Sequence, residues 1–283
     1  MIRVIINADD LGKSPEVNRE IGNALAKGYI TSATILANSL CWDDIHKIVD
    51  SNPQASFGVH LNLTEGMALS RSEVFKKYDI VDDSNMFTKR MLEILHSDHI
   101  PEDLSDAIFC EWDKQLDKIK NIENIHITHI DGHHHIHHYY VLSGVLSRLL
   151  SKYNITALRR RYTYPVTRSV CFATKLINII TKVPIYNFIS KYCKDKNKYL
   201  NFILISMEAS LWYKQFEKFC LSDYFDSYEH FLTRLNYNIS NDVIIELMCH
   251  PGSMKYNQEY ALIQSMTLNS LLECKLVSYD AIK

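Results

Sequence analysis

The sequence predicts an α/β protein with a parallel β-sheet and helices packed outside it. Three observations support this class. Short β-branched, apolar runs alternate with helix-like runs along most of the chain. The length of 283 residues suits one α/β domain. Polar, reactive side chains follow the predicted strands, where parallel sheets bind their ligands. Barrels and open doubly wound sheets share this last property, so the pattern alone leaves both architectures open.

The first half of the chain contains the clearest elements. A strand is predicted at 3–8, and a helix follows it because Ser14 is a good N-cap and Pro15 a good first helical residue. Gly28 is expected to end that helix. The next predicted elements are a strand at 33–37, a helix at 42–49, a strand at 56–63, a helix at 103–120, a strand at 125–131, a helix at 139–152 and a strand at 156–159.

The second half is less regular. We predict a strand at 202–206, a helix at 226–238, a strand at 242–249, a helix at 259–273 and a strand at 276–279. The segments 66–101 and 160–200 fit the alternation poorly. We expect both to be irregular excursions from one domain of residues 1–283, placed where they can cover a substrate.

Composition excludes several classes of protein. Apolar residues form 47% and charged residues 23% of the chain, as in an ordinary globular protein. The formal net charge of −2 argues against a nucleic acid or an anionic membrane as partner. Seven scattered cysteines indicate free thiols in a reducing compartment. Because the N-terminus is polar too early for a signal peptide, we expect a cytoplasmic location.

The densest chemical signal is an internal histidine run at 128–138. Neutral imidazole is the commonest protein ligand for metals, and so many histidines serve no packing purpose. On an extended strand, alternate side chains share a face. Strand parity therefore predicts one face carrying His129, Asp131, His133, His135 and His137, with His134 on the other.

Three further motifs lie at the ends of predicted strands. Asp9 and Asp10 are adjacent carboxylates, which a divalent ion would stabilise against mutual repulsion. His60 lies on the polar face of an apolar strand, where a ligand role is favoured over a structural one. His250 ends the most hydrophobic strand, and Glu246 shares its parity. Glu246 is expected either to orient His250 or a neighbour, or to be a core glutamate satisfied by backbone donors.

Together these motifs resemble the YdjC/ChbG family of carbohydrate deacetylases. The resembling segments appear in the family's order over nearly the whole chain, and they are 7–12, 31–38, 58–66, 128–137 and 246–252. The resemblance implies a distorted (β/α) TIM-like barrel of the glycoside hydrolase/deacetylase type, often dimeric. It also implies one divalent ion, usually magnesium, and removal of an acetyl group from an N-acetylated sugar.

The resemblance also implies roles for individual residues. Asp10, His60 and His133 become the metal ligands, Asp9 the catalytic base, and His250 the group that protonates the leaving amine. Asp131, His135, His137, Arg159 and Glu246 are expected to bind substrate or support the ligands. Related chains often keep an arginine at the position of Arg159, although the neighbouring Arg160 and Arg161 favour a surface cation.

Alternatives remain open at this point. The same metal chemistry could hydrolyse a sugar phosphate or another ester, or the protein could bind a metal or a sugar without catalysis. Zinc, manganese or cobalt would also suit an Asp-His-His ligand set. A small carbohydrate is the expected substrate, and a homodimer the expected assembly.

Overall fold

The computed structural model describes residues 1–96, 99–161, 198–233 and 241–282. Within these ranges the strands are β1 (Ile2–Leu11), β2 (Ser32–Ile35), β3 (Ser56–Leu61), β4 (His129–Gly132), β5 (Ala157–Leu158), β6 (Tyr224–Ser227), β7 (Ile244–Cys249) and β8 (Cys274–Leu276). The helices are α1 (Pro15–Ala26), α2 (Trp42–Ser51), α3 (Glu73–Lys77), α4 (Arg90–Ile94), α5 (Glu102–Asp117), α6 (Ser143–Tyr153), α7 (Lys198–Gln215), α8 (Tyr228–Thr233), α9 (Asn257–Gln264) and α10 (Thr267–Leu271).

The strands form one parallel sheet in the order β5-β4-β3-β2-β1-β7-β6. Strand β8 pairs with the first residues of β1, while β2 pairs with its last residues. The predicted α/β class is confirmed, and the curled sheet forms a half-barrel. An isolated parallel bridge joins Ala157 to Cys220, just ahead of β6. A closed barrel stays a prediction.

Local signals account for the first helix and its exit. Ser14 caps α1 by accepting a hydrogen bond from the backbone N–H of Val17 (3.2 Å), and Pro15 occupies the first turn. Gly28 has φ +70°, the left-handed conformation that glycine adopts without steric cost. The apolar faces of the helices and both faces of the sheet enclose one main core, in which Trp112 of α5 is fully buried.

Several predicted elements are wrong and have identifiable causes. The residues predicted as a strand at 202–206 belong to α7, because a short apolar run cannot by itself distinguish a strand from a buried helix. The helix predicted at 226–238 begins instead with β6, and α8 follows it. The helix predicted at 259–273 is interrupted at Met266, whose φ of 51° is left-handed.

The segment at 66–101 is more ordered than expected. It contains α3 and α4 and two antiparallel bridges, Met67 to Met86 and Val81 to Phe87. The buried carboxylate of Glu111 on α5 accepts hydrogen bonds from the backbone N–H groups of Leu69 (3.0 Å) and Ser70 (2.6 Å), which ties the segment to the sheet's helical layer. Its role in covering substrate stays a prediction. Most of the second excursion, 162–197, lies outside the described residues.

None of the helices in the described part of the chain is long and apolar enough to cross a lipid bilayer. The five cysteines found there are free thiols, as predicted, and they are Cys41, Cys110, Cys220, Cys249 and Cys274.

Candidate active site

The two adjacent aspartates face one site because β1 is irregular at its carboxyl end. Neighbouring residues of a regular strand point to opposite faces. In β1 the register with β2 shifts between Ala8 and Leu11, and Asp10 has φ 71°. This bulge turns both carboxylates towards the same cavity, which has a volume of about 230 Å³.

Three potential metal ligands converge beside the bulge. Oδ1 of Asp10 lies 2.8 Å from Nδ1 of His133 and 3.4 Å from Nε2 of His60. The two ring nitrogens are themselves 3.4 Å apart. Strands β1, β3 and β4 end at the same edge of the sheet, which explains how residues distant in sequence meet here.

The chemistry of these three groups fits a divalent cation. One carboxylate oxygen and two imidazole nitrogens form a ligand set used by zinc, manganese, cobalt and magnesium sites. Oδ1 of Asp10 is buried, and its short contacts with the two ring nitrogens do not have hydrogen-bond geometry, so it has no hydrogen-bond partner within the described residues. Since an unsatisfied buried carboxylate oxygen is costly, the geometry favours an ion at the point where the three atoms meet.

The pKa shifts of Asp10 and His60 are also compatible with a cation site. Burial raises the pKa of Asp10, but its contacts with His133 and His60 outweigh burial and hold that pKa well below its usual range. Burial lowers the pKa of His60, whereas the charge of Asp131 and the contact with Asp10 raise it to about 10. A pocket that draws protons onto its imidazoles also attracts a metal cation.

Asp131 supports His60 from behind. Its Oδ1 lies 2.7 Å from Nδ1 of His60, and its Oδ2 accepts a hydrogen bond from the hydroxyl of Thr34 (3.0 Å). Carboxylates in this position fix the tautomer and orientation of a ligand histidine. The structure therefore places Asp131 behind a candidate ligand, and its supporting role stays a prediction.

Arg159 is completely buried, so the prediction of a surface cation is wrong. Its guanidinium lies within 2.8 Å of carboxylate oxygens of Asp9, Asp131 and Glu246. Arg159 directly follows β5, which pairs with β4, so its side chain lies at the carboxyl end of the sheet among these three carboxylates. Sequence could not show this, since exposed and buried arginines follow the same local pattern.

Glu246 orients Arg159, which fits the expected role towards a neighbour but not towards His250. Its Oε1 accepts a hydrogen bond from Nε of Arg159 (2.6 Å), and neither His250 nor a backbone donor is its partner among the contacts described. Burial raises the pKa of this carboxyl to about 7, and the attraction of Arg159 offsets only part of that rise. Glu246 therefore lies on the threshold of protonation near neutral pH.

Asp9 is held rigidly and kept ionised. Arg159 donates from Nη2 to Oδ1 (2.7 Å) and from Nη1 to Oδ2 (2.8 Å), and Asn7 donates to Oδ1 (2.9 Å). Burial raises the pKa of Asp9, but the charge of Arg159 outweighs it and holds that pKa well below the usual range. Each carboxylate oxygen has two acceptor positions, so Oδ2 retains one for another donor.

The parity argument fails for the histidine run beyond Gly132. The chain leaves the extended conformation there, and His134 and His135 adopt left-handed φ values of 52° and 55°. His134 consequently lies beside the site, with Nε2 3.8 Å from Oε1 of Glu65. His137 is turned away into the protein interior and is fully buried.

His135 and His137 belong to an aromatic wall rather than to the ligand group. The ring of His135 stacks on His138 at 5.1 Å, and Phe225 and Trp212 complete the wall. Burial, followed by the positive charge of Arg159, lowers the pKa of His135 to about 3, so its ring is neutral. Neither residue joins a group of potential ligands within the described residues.

Two charged residues at the opening of the site, Glu65 and Lys13, were not assigned a role from the sequence. Oε2 of Glu65 lies 3.2 Å from Nε2 of His133 and 3.0 Å from Nζ of Lys13. Lys13 also lies 3.2 Å from Oδ2 of Asp10. Glu65 belongs to the motif that identified His60, but nothing in that motif separates it from a surface glutamate.

His250 lines the same cavity as Asp9 and Asp10. The buried carboxylate of Glu259 accepts a hydrogen bond from the backbone N–H of His250 (2.8 Å) and lies 3.4 Å from Nδ1 of its ring. The ring stacks on Tyr256 with centroids 4.3 Å apart. Glu259 therefore positions a histidine, a function that sequence reasoning missed because Glu259 looked like a helix-start acid.

Comparisons with known proteins agree with this architecture. Carbohydrate deacetylases are 28% identical over 155 residues in Halalkalibacterium halodurans, 29% over 175 residues in Oceanobacillus iheyensis and 27% over 208 residues in Thermoanaerobacter pseudethanolicus. These matches cover 54%, 62% and 74% of this chain and 62%, 72% and 76% of the relatives. The chain thus spans less than two thirds of the first relative's length.

A solved structure shares the fold. The crystal structure of a protein from Enterococcus faecalis, named for cellobiose-phosphate cleavage, aligns with a TM-score of 0.65 at 18% identity. The alignment covers 99% of this chain and 98% of that one. A family model described as YdjC-like protein matches residues 3–275. The predicted resemblance is confirmed, and the chain belongs to the YdjC-like protein family.

Proposed function

We propose that this protein is a metal-dependent carbohydrate deacetylase that removes the acetyl group from an N-acetylated sugar or oligosaccharide. One observation carries the proposal: Asp9, Asp10 and His250 line one cavity, and the carboxylate of Asp10 also meets His60 and His133 as a potential metal-binding group. Relatives named as carbohydrate deacetylases support the substrate class. The products are a free amino sugar and acetate.

Asp10, His60 and His133 would hold the ion. When bound, the ion supplies Lewis acidity, which polarises a carbonyl and makes water a stronger acid. A three-residue ligand set leaves coordination room for substrate, as in catalytic rather than structural sites. Magnesium follows from the family resemblance, and zinc, manganese and cobalt fit the same donors.

The other residues would move the protons. Asp9 accepts the proton of the attacking water, and its Oδ2 has the acceptor position for it. Arg159 keeps Asp9 ionised and fixed in place. His250, oriented by Glu259, gives a proton to the amine nitrogen as its bond to the carbonyl carbon breaks. A proton donor is needed because an unprotonated amine anion is a poor leaving group.

Acetate release tests the proposal. The purified protein would be loaded separately with Mg²⁺, Zn²⁺, Mn²⁺ and Co²⁺ and incubated with N-acetylglucosamine, di-N-acetylchitobiose and longer oligomers. Parallel reactions with sugar phosphates would be assayed for phosphate. We expect acetate from at least one N-acetylated sugar. Phosphate release alone, or no acetate from a protein shown to bind the ion, would refute the proposal.

Variants of the two aspartates separate binding from turnover. Asp9→Asn should retain the ion and lose turnover by about 10²- to 10⁴-fold. Asp10→Asn should lose the ion itself. Asp103→Asn, at an exposed ion pair with Lys77, is the matched control and should change neither. Equal metal loss in both site variants would contradict the separate roles. We also propose, as the sequence predicts, that the protein is a cytoplasmic homodimer and that its sheet closes into a barrel.

A further inference from the structure

The two ligand histidines turn different ring nitrogens towards Asp10. His60 presents Nε2, which lies 3.4 Å from Oδ1 of Asp10. His133 presents Nδ1, which lies 2.8 Å from the same oxygen. We propose that the ion is bound by opposite tautomers of these histidines, and that Glu65 is the positioning residue that selects the tautomer of His133. The inference rests on the ion site of the proposed function, but not on the deacetylation reaction.

The nitrogen on the far side of each ring faces a carboxylate. Nδ1 of His60 lies 2.7 Å from Oδ1 of Asp131. Nε2 of His133 is buried and lies 3.2 Å from Oε2 of Glu65, an ion-pair distance, without hydrogen-bond geometry to any described residue. A neutral imidazole carries one N–H, so the nitrogen that donates to a carboxylate leaves the other with a free lone pair for a metal. Asp131 therefore selects Nδ1–H on His60, and Glu65 selects Nε2–H on His133.

The backbone of Glu65 is held in place by the turn after β3. The side-chain amide of Asn62 donates to the backbone carbonyl of Glu65 (2.6 Å), and that of Asn38 donates to the same oxygen (2.8 Å). Gly66 follows with φ +74°, and a Cβ there would lie 2.5 Å from Nδ2 of Asn38. The glycine and the two asparagines therefore fix the backbone position from which the Glu65 side chain extends.

The carboxylate end of Glu65 is held by Lys13. Nζ of Lys13 lies 3.0 Å from Oε2 of Glu65. The same ammonium lies 3.2 Å from Oδ2 of Asp10, the oxygen that does not face the histidines. Lys13 therefore links Glu65 to a metal ligand, because its ammonium contacts both carboxylates beside His133.

Metal affinity gives the first test. Zn²⁺ binding to the metal-free protein would be measured by calorimetry with a competing chelator. Replacing the outer carboxylate of a ligand histidine typically weakens metal binding by about 10- to 100-fold, which is the loss expected for Glu65→Ala. Glu65→Gln keeps an oxygen that accepts N–H and should lose less. Glu73→Gln, on the exposed α3, is the control, and the free energy of unfolding of each variant would exclude misfolding.

Tautomers give the second test, independent of any substrate. Nitrogen-15 NMR of the zinc-loaded, histidine-labelled protein distinguishes the hydrogen-bearing nitrogen of each ring from the metal-bound one. We expect Nδ1–H on His60 and Nε2–H on His133. In Glu65→Ala the His133 signals should broaden or divide between tautomers, while those of His60 stay unchanged.

Two results would overturn the inference. One is the same hydrogen-bearing nitrogen on both ligand rings. The other is zinc affinity in Glu65→Ala within twofold of the parent protein. Failure of the acetate assay, with these two measurements as expected, would refute the proposed reaction and leave the inference standing.

Discussion

The supports behind the two proposed ligand histidines, His60 and His133, have the same chemistry and very different surroundings. Behind His60 stand Asp131 and Arg159, whose side chains are both 0% exposed. Behind His133 stand Glu65 and Lys13, whose side chains are about 40% exposed. Each support is a carboxylate facing an imidazole, with a cation holding the carboxylate.

The difference separates a fixed support from an adjustable one. Charges buried in a low-dielectric interior interact strongly and cannot be left unpaired, so the pair behind His60 tolerates little change. Half-exposed charges are screened by water and salt, and their ion pairs contribute little stability. We expect the buried support to fix the positions of the proposed metal ligands. We expect the side chains of the exposed support to move when substrate enters.

The largest effect should follow removal of the buried cation. Arg159→Met leaves the carboxylates of Asp9, Asp131 and Glu246 without their shared partner. Breaking a buried ion pair from one side costs about 3–5 kcal/mol, so the free energy of unfolding should fall by that amount. Urea denaturation measures it.

A surface arginine supplies the control for that experiment. Arg148→Met removes an ion pair with Asp106 in which both side chains are more than half exposed. Such pairs are worth about 1 kcal/mol or less, and the stability should change by no more than that. If the two variants lost equal stability, burial would not be what distinguishes the supports.

Metal affinity should depend more on Asp131 than on Glu65. Asp131→Asn should weaken Zn²⁺ binding by about 10- to 100-fold, because the amide can present an N–H where His60 needs an acceptor. Glu65→Gln, at the exposed support, should weaken binding less, since water can compensate for the lost charge. Calorimetric titration compares them. A larger loss at Glu65 would reverse the assignment of fixed and adjustable supports.

The buried support should also make stability depend on pH. The pKa of Glu246 rises from its ordinary value of 4.5 to about 7 on folding. Between about pH 5 and 7 the folded protein therefore binds more protons at this carboxyl than the unfolded chain does, so its free energy of unfolding falls as pH rises. In the parent protein this effect should lower the free energy of unfolding by about 1–2 kcal/mol across that pH window, and Glu246→Gln should abolish it.

Denaturation at several pH values tests the sign. Glu16→Gln, at a solvent-exposed pair with Arg19, is the control and should keep the slope of the parent protein. A Glu246→Gln variant whose stability falls with pH as steeply as that of the parent would show that another group is responsible.

The smallest effect should come from His134. Its ring is 37% exposed, Nδ1 lies 2.9 Å from the hydroxyl of Thr64, and Nε2 lies 3.8 Å from Glu65. His134→Ala should change Zn²⁺ affinity by no more than about twofold, because no ligand depends on it, whereas His133→Ala should abolish tight binding. Comparable losses of Zn²⁺ affinity in the two variants would show that His134 belongs to the exposed support.

Much of the fold was predictable from local pattern. The first strand, its capped helix and the strand carrying His60 lie close to their predicted positions, because alternation and capping are local properties of the chain. The region around residues 202–206 was not predictable in this way. A short apolar run is compatible with either a strand or a helix until its neighbours are known.

The candidate site shows the same distinction between what local pattern predicts and what tertiary contacts decide. Asp10, His60 and His133 were recognisable because they lie near the carboxyl ends of strands, which parallel sheets bring to one edge, and because their motifs resemble those of the deacetylase family. Arg159, Glu65 and Glu259 acquire their functions only through contacts across the fold. Even the histidine run shows this limit, since parity held to Gly132 and failed where the backbone turned.

The sequence by itself determined the fold class, the strands that end at the site and the three side chains that meet there. Only the tertiary structure decided which cation is buried, which carboxylate stands behind each imidazole and which ring nitrogen faces Asp10. The physical reason is that hydrophobic periodicity and capping act over a few neighbouring residues. Burial, the pairing of charges and the choice of tautomer depend on groups brought together from distant parts of the chain.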